Sequence, residues 1–221
     1  MADDVKHPAR QYDGSRRQAR ARQTRRSILD AAIRLFTEHG YGATSLQAIA
    51  DEAGVAVQTI YKTLENKPTI LAEALDVAIA GDDAEIAVNQ RDWMHDVWHA
   101  PTAEERLRAY AGAVGQIMSR ASEMFLVVAM AARSEPRLAA FGEETERRRR
   151  MGAERVVQSV REVGSLAPSL SAEQAVDIVW LLNSPGVHHQ LARASGWSHE
   201  AYVEWLGDTL VHQLLDGRTG R

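Results

Sequence analysis

The stretch GVAVQTIYKTLENK, Gly54 to Lys67, decides how the rest of the chain is read. Wound at 100° per residue, it stacks Ala56, Ile60 and Leu64 on one side. Gln58, Thr59, Tyr61 and Lys62 point away, with Val57 and Thr63 on the flanks. The outward set carries almost no charge and is rich in short hydrogen bonders, with one ring and one cation. Upstream, Thr44-Ser-Leu-Gln47 fits a capping box, with Thr44 as the cap and Gln47 reaching back to it. That helix runs to about Ala53 and stops at Gly54. Two helices joined by Ala53-Gly54-Val55 predict a helix-turn-helix. Ala50 is small enough to let the two helices approach, and Gly54 supplies the positive φ of the turn. Val55 and Ile60 fill the wedge between them.

A nine-residue helix with this outer face suits the major groove of duplex DNA. Gln58 and Thr59 can hydrogen-bond base edges, and Val57 can meet a thymine methyl. Tyr61 and Lys62 suit nearby phosphates, as does Lys67 at the start of the next helix. An amphipathic core helix with a mild surface would share the periodicity. The glycine turn, the small residues and an upstream arginine cluster favour the DNA reading.

That cluster shows in the charge distribution. The 221-residue chain has a net charge of −4, which alone argues against a polyanion partner. Residues 1–67 nevertheless carry a net +3 and residues 68–221 a net −7. Between Arg10 and Arg26 seven Arg face one Asp. Such asymmetry points one part of the chain at a polyanion. Residues 1–22 read as a basic arm: a disordered tail, a mobile segment that tracks DNA, or a backward extension of the first helix. There is no cysteine, so no disulfide framework, thiolate zinc site or cysteine nucleophile. No signal-like segment follows the acidic MADD start. The longest apolar run, Met124 to Ala132, is nine residues and too short to span a bilayer. A cytoplasmic protein without a membrane partner is expected.

Nearly everything reads helical, and an all-α chain of nine or ten helices is expected. Ile28, Ala31, Ala32, Leu35 and Phe36 keep a 3.6 period up to Gly40. Asn66 caps a fourth helix with Pro68 in its first turn. A short helix covers Arg91–His99. Thr102-Ala-Glu-Glu105 opens one to about Arg120, and Ser122–Ser134 forms a separate, deeply buried one. Pro136 starts a long charged helix to about Val163, whose Arg147–Arg150 run reads as ion pairs on a solvated face. Ser171-Ala-Glu-Gln174, Ser184-Pro185 and Ser198 open the last three.

The segment ILDAAIRLFTEHGYGATSLQAIADEAGVAVQTIYKTLENKPTIL, Ile28 to Leu71, resembles the N-terminal domain of tetracycline-repressor (TetR) family transcriptional regulators. The match covers roughly residues 24–71 through A-x-x-L-F-x-x-x-G-Y-x-x-T, I-A-x-x-A-G-V and T-I-Y…K. The resemblance implies a three-helix DNA-binding domain (residues 23–67) and a helical effector-binding and dimerisation domain (residues 68–221). It also implies a homodimeric repressor released from a palindromic operator by a small apolar or amphipathic molecule, with no enzymatic activity, cofactor or metal. By the same resemblance Thr44 and Ser45 contact phosphate, Gln47 a base or phosphate, and Tyr61 and Lys67 form a backbone clamp. Ala56 stands where the family often has a Ser or Thr cap, and Thr63-Leu64 where it often has His-Phe.

Past Pro68 the resemblance assigns the dimer interface to the last two strong helices, which carry Trp180, Leu181, Val203, Leu206, Leu210 and Leu214; these residues would equally serve as core. NSPGVHHQLARASGWSHEAYVEWLGDTL looks like the end of an actinobacterial-type member. Trp93, Val97, Trp98, Tyr110, Val114, Met118, Phe125 and Trp180 are candidate ligand-pocket residues. Gly112 and Gly115 inside a helix point to close packing or a void. One pattern favours another class: His95-Asp-Val-Trp-His99 has zinc-ligand spacing, the basis of an alternative reading as a metal-dependent hydrolase. An effector-less DNA-binding protein is a third reading.

Overall fold

The computed structural model describes residues 14–82 and 86–215, with side chains from Arg16 onward. Residues 1–13 of the expected arm lie outside the described residues. Ten α-helices and short tighter turns account for the described elements, with no strand among them. The helices are α1 (Gly14–Ala43), α2 (Leu46–Ala53), α3 (Val57–Leu64), α4 (Lys67–Ala80), α5 (His95–His99), α6 (Ala103–Ser134), α7 (Pro136–Val163), α8 (Ala172–Leu182), α9 (Pro185–His188) and α10 (His199–Leu214). A π-helical segment, His189–Ala194, continues α9.

Helix α1 takes up the arginine segment from Gly14 onward, and its straight part ends at Gly40 (φ 79°). Its first buried residue is Ile28. Residues 24–27 are half-buried, with Arg25 paired to Glu73 of α4 at 2.6 Å, and the exposed stretch before them, residues 16–23, projects as a basic rod of about 12 Å. Ile28, Leu29 and Phe36 of α1 meet Ile49 and Ala50 of α2, Ile60 and Leu64 of α3, and Ile70 and Leu71 of α4, all at most 1% exposed. Each large apolar side chain buried this way stabilises by about 1.5–3 kcal/mol.

Helix α6 is the axis of the remainder, packing on α1, α4, α5, α7, α9 and α10. The expected break near Arg120 is absent. No proline or glycine interrupts residues 116–134, and Ala121 and Ser122 are buried mid-helix, so α6 runs 32 residues. Gly115 allows its crossing with α10: a Cβ there would lie 2.4 Å from Val203 Cγ2, whereas one on Gly112 meets nothing within 4 Å. The capping boxes at Thr102/Glu105 and Ser171/Gln174 both form. Ser184 and Ser198 accept from the backbone as caps. Arg120 donates to the Ala78 and Ile79 carbonyls, tying the end of α4 to α6. On α10, Leu206, Leu210 and Leu214 are fully buried in the protomer's own core, while Leu181 of α8 is 61% exposed.

Candidate DNA-binding face and ligand cavity

The turn between α2 and α3 is a Schellman motif. Gly54 takes φ 67°, ψ 33°; its N–H donates to Asp51 and that of Val55 to the Ala50 carbonyl. Val55 then packs on the core, setting the angle at which α3 leaves. Ala56 is the N-cap of α3 and has no side chain to cap with, as its sequence position implied. Because it precedes the first helical turn it is exposed, so only Ile60 and Leu64 of the expected inner triad are buried. Past α3, Glu65 sits at φ 59°, ψ −59°, and Asn66 N–H donates back to the Leu64 carbonyl at 2.6 Å. This γ-turn is uncommon and strained. It aims α4, whose first turn Asn66 caps by accepting from Thr69 N–H at 3.0 Å.

On the outer side, Gln58, Tyr61 and Lys62 are exposed, Tyr61 at 56%. Among the described residues none bonds their side chains. Lys67 Nζ lies 4.2 Å from the centre of the Tyr41 ring. Partial burial holds its ammonium below the usual lysine range, with Glu135 opposing. The exposed Arg17, Arg20 and Arg22 of α1 belong to the same half of the molecule.

The other half encloses a cavity of about 680 Å³ between α4, α6 and α7, with the 87–89 turn on its flank. Its walls include Leu75, Ile79, Val114, Met118, Phe125 and Phe141. Trp98 Nε1 donates to the Asn89 carbonyl and pins that turn. Asp76 also lines it; the residue is exposed, and partial desolvation by the surrounding wall pushes its carboxyl above the usual range, with Arg148 opposing. Tyr110, Asn183 and Arg149 form a buried polar cluster: Arg149 donates to Asn183 Oδ1 at 2.8 Å, and the Asn183 amide donates to the Tyr110 hydroxyl. Burial pushes the Tyr110 hydroxyl up to about 12 and holds Arg149 below its ordinary value. Glu144 is held down at about 2 by hydrogen bonds from Arg147 and Arg148.

Residues 28–74, which hold the helix-turn-helix, match the family of bacterial regulatory proteins described as the tetR family. The likeness to that family is carried by this segment, about a fifth of the chain. Over 63 residues it is 38% identical to the transcriptional repressor KstR of Mycobacterium tuberculosis, a stretch covering 28% of this chain and 29% of that relative. The matched stretch thus spans under half the length of the curated relatives. Among solved structures, the fatty acid degradation regulator FadR of Bacillus halodurans superposes with a TM-score of 0.67 at 20% identity, covering 89% of this chain and 97% of that one. FadR of Bacillus subtilis, solved with stearoyl-CoA, gives 0.66 at 20% identity over 84% and 96%. At that identity the likeness concerns the fold, over most of the chain.

Within this frame, the expected sites divide. Val57, Gln58, Thr59, Tyr61 and Lys62 come together on α3, with Val57 and Thr59 half-buried. Thr44 departs from expectation. It is 2% exposed, and its hydroxyl donates to the Leu35 and Gly40 carbonyls, closing the break after α1. The cap of α2 is Ser45, accepting from Ala48 N–H at 3.0 Å, because residue 44 is turned inward to the Gly40 carbonyl. Gln47, freed of the capping role, donates to Asp51 on the exposed face.

Of the expected pocket residues, Trp98, Tyr110, Val114, Met118 and Phe125 line the cavity. Trp93, Val97 and Trp180 do not. Val97 is fully buried core and Trp93 packs against that core. Trp180 lies beneath the Arg149 and Arg150 guanidinium groups at 6.0 and 5.7 Å. Arg149 corrects the expected solvated face: its side chain is 10% exposed, and it reaches inward while Arg147 and Arg148 pair with Glu144 on the exposed rim of the cavity. An isolated Asn183 closing the apolar α8 was the one sequence signal for the missed polar cluster. His95 and His99 do share a helical face, their rings stacked at 4.4 Å. Among the described residues no third His, Cys, Asp or Glu joins them in a group able to hold a metal. His99 Nδ1 is also engaged by the His95 carbonyl at 2.9 Å, and the hydrolase reading is not favoured.

Proposed function

We propose that this protein is a ligand-responsive transcriptional repressor acting as a homodimer on a palindromic operator. Residues 23–67 hold DNA, residues 68–221 hold the effector and the partner, and the basic segment 1–22 follows the backbone. The observation that carries this reading is the face of α3, where Gln58, Tyr61 and Lys62 stand exposed and unbonded beyond a Schellman turn. Side chains that find no protein partner cost nothing to redirect to base edges and phosphates. In this reading Gln58 and Thr59 read bases, Val57 meets a thymine methyl, and Ser45, Gln47, Tyr61, Lys62 and Lys67 set the register. Thr44 acts indirectly, by holding the α1–α2 corner.

Helix α4 supports the coupling of the two halves. Its first turn carries Lys67 beside Tyr41, and two to three turns later Leu75, Asp76 and Ile79 face the cavity. A molecule that displaces one end of a 14-residue helix moves the other. The stearoyl-CoA in FadR of Bacillus subtilis supports an apolar or amphipathic effector here. Leu181 supports α8 as part of the dimer seam, with the outer face of α10, since the inner leucines are used up within the protomer. No described helix is long and apolar enough to cross a membrane, and we assign the protein to the cytoplasm.

The test is a mobility shift on the duplex upstream of the protein's own coding region, at two salt concentrations. Half-sites about one turn, roughly 10 base pairs, apart are expected. Tyr61→Ala weakens all sequences alike. Gln58→Ala relaxes choice at one base by about 1–3 kcal/mol. Both variants should melt with the parent. Parental binding by both would remove α3 from the groove.

A further inference from the structure

The hydrogen bonds at the polar wall of the cavity run in one direction, and that direction selects what binds. Tyr110 of α6, Arg149 of α7 and Asn183 at the end of α8 are 7%, 10% and 6% exposed, and all three line the cavity. A guanidinium has only donors. Its Nη2 therefore fixes the Asn183 amide with Oδ1 towards Arg149, at 2.8 Å. The amide nitrogen is left facing Tyr110 and donates to the phenol oxygen. With its oxygen accepting, Tyr110 must direct its own hydrogen elsewhere, and among the described residues no acceptor takes it. The hydroxyl keeps that hydrogen at neutral pH, since burial pushes it up to about 12. Arg149 Nε is also buried without a partner. The polar wall thus ends in unused donors. The charged lining leans the same way, with Arg147, Arg148, Arg149 and Arg155 against Asp76 and Glu144.

We infer that the cavity takes a molecule with an apolar body and a carboxylate head, one oxygen of which accepts the Tyr110 O–H at the end of the Arg149–Asn183–Tyr110 relay. This rests on the cavity being the effector site. A cationic head of the same size would set donor against donor and bind more weakly.

The experiment is displacement of the uncharged fluorescent probe N-phenyl-1-naphthylamine from the full-length protein. The competitors are dodecanoate, dodecylammonium and 2-dodecanone, each below its micelle concentration or solubility limit. Dodecanoate is expected to displace the dye at a concentration at least tenfold below dodecylammonium. Tyr110→Phe should raise the dodecanoate midpoint about tenfold or more, as loss of a hydrogen bond to a charged group does. Asn183→Asp is the sharper variant. A carboxylate at 183 accepts from both Arg149 and Tyr110 and turns the phenol hydrogen inward. Dodecanoate and the uncharged acceptor 2-dodecanone should then both lose affinity, with Tyr110 still in place. Equal displacement by the two charged amphiphiles, or an unchanged Tyr110→Phe, overturns the acceptor assignment while dye binding leaves the effector site standing. Failure of the dye and of all three competitors to bind would take down both.

Discussion

Tyr61 and Tyr110 put one side chain to opposite uses in the two halves of the molecule. Tyr61 stands 56% exposed on α3 with nothing bonded to it; Tyr110 is 7% exposed, and Asn183 has already oriented its hydroxyl. The first half is a small, filled core whose working surface is its outside. The second is built on a 32-residue helix around a cavity of about 680 Å³, and its working surface is inside. An outward site needs only a correctly aimed helix. An inward one needs buried polar groups that fix one another's direction and leave donors for the occupant, which makes it more specific and more costly to alter.

Glycines sharpen the contrast, since each half uses one for a different reason. The larger effect is expected from Gly115→Ala. Its Cβ would come within 2.4 Å of Val203 Cγ2 and 3.1 Å of His199 Cε1. Valine on a helix has one strongly preferred rotamer and yields poorly. Overpacking of this kind costs about 1–3 kcal/mol, read as a lower denaturation midpoint with the α6–α10 crossing loosened. Gly54→Ala meets nothing within 4 Å and strains only the backbone at φ 67°. About 1 kcal/mol of stability should be lost. DNA affinity should fall by more than stability, because the turn aims α3. If Gly54→Ala proved the more destabilising of the two, the distinction between conformational and spatial need would fail.

The smallest effect concerns Asp76, the carboxylate of the cavity wall on α4. Partial desolvation raises its pKa in the folded state, so its ionised form opposes folding at neutral pH. The penalty is absent where the carboxyl is protonated both folded and unfolded, and it grows as pH rises through the carboxylate range. Asp76→Asn should therefore raise the melting temperature slightly at pH 7, with the gain fading on acidification towards pH 3. A gain that increased on acidification would mean that Arg148, rather than desolvation, dominates at this site.

Most of the helix-turn-helix half was legible along the chain, because its instructions are local. A glycine after Ala53, an asparagine before Lys67 and a 3.6 period in α1 each act within one or two turns. The exception is instructive. Thr44 and Ser45 are both good caps, and choosing between them required knowing that the Gly40 carbonyl would take the Thr44 hydroxyl. In the second half the caps at Thr102, Ser171, Ser184 and Ser198 were equally plain. Which side of a helix became cavity was not. Trp180 and Val97 were as apolar as Phe125, yet one went under two arginines and the other into the core.

What the order of residues determined on its own was the all-helical class, the elbow at Gly54 and the face that α3 turns outward. Those depend on backbone preference and on periodicity, which neighbours in the chain settle between themselves. What only the tertiary structure decided was the cavity and its polar wall. Arg149, Asn183 and Tyr110 are 34 to 73 residues apart, and the direction in which their hydrogens point is set only when three helices bring them together. A donor has no assigned acceptor until folding supplies one, so no local reading of the chain could have assigned that wall to accept a carboxylate.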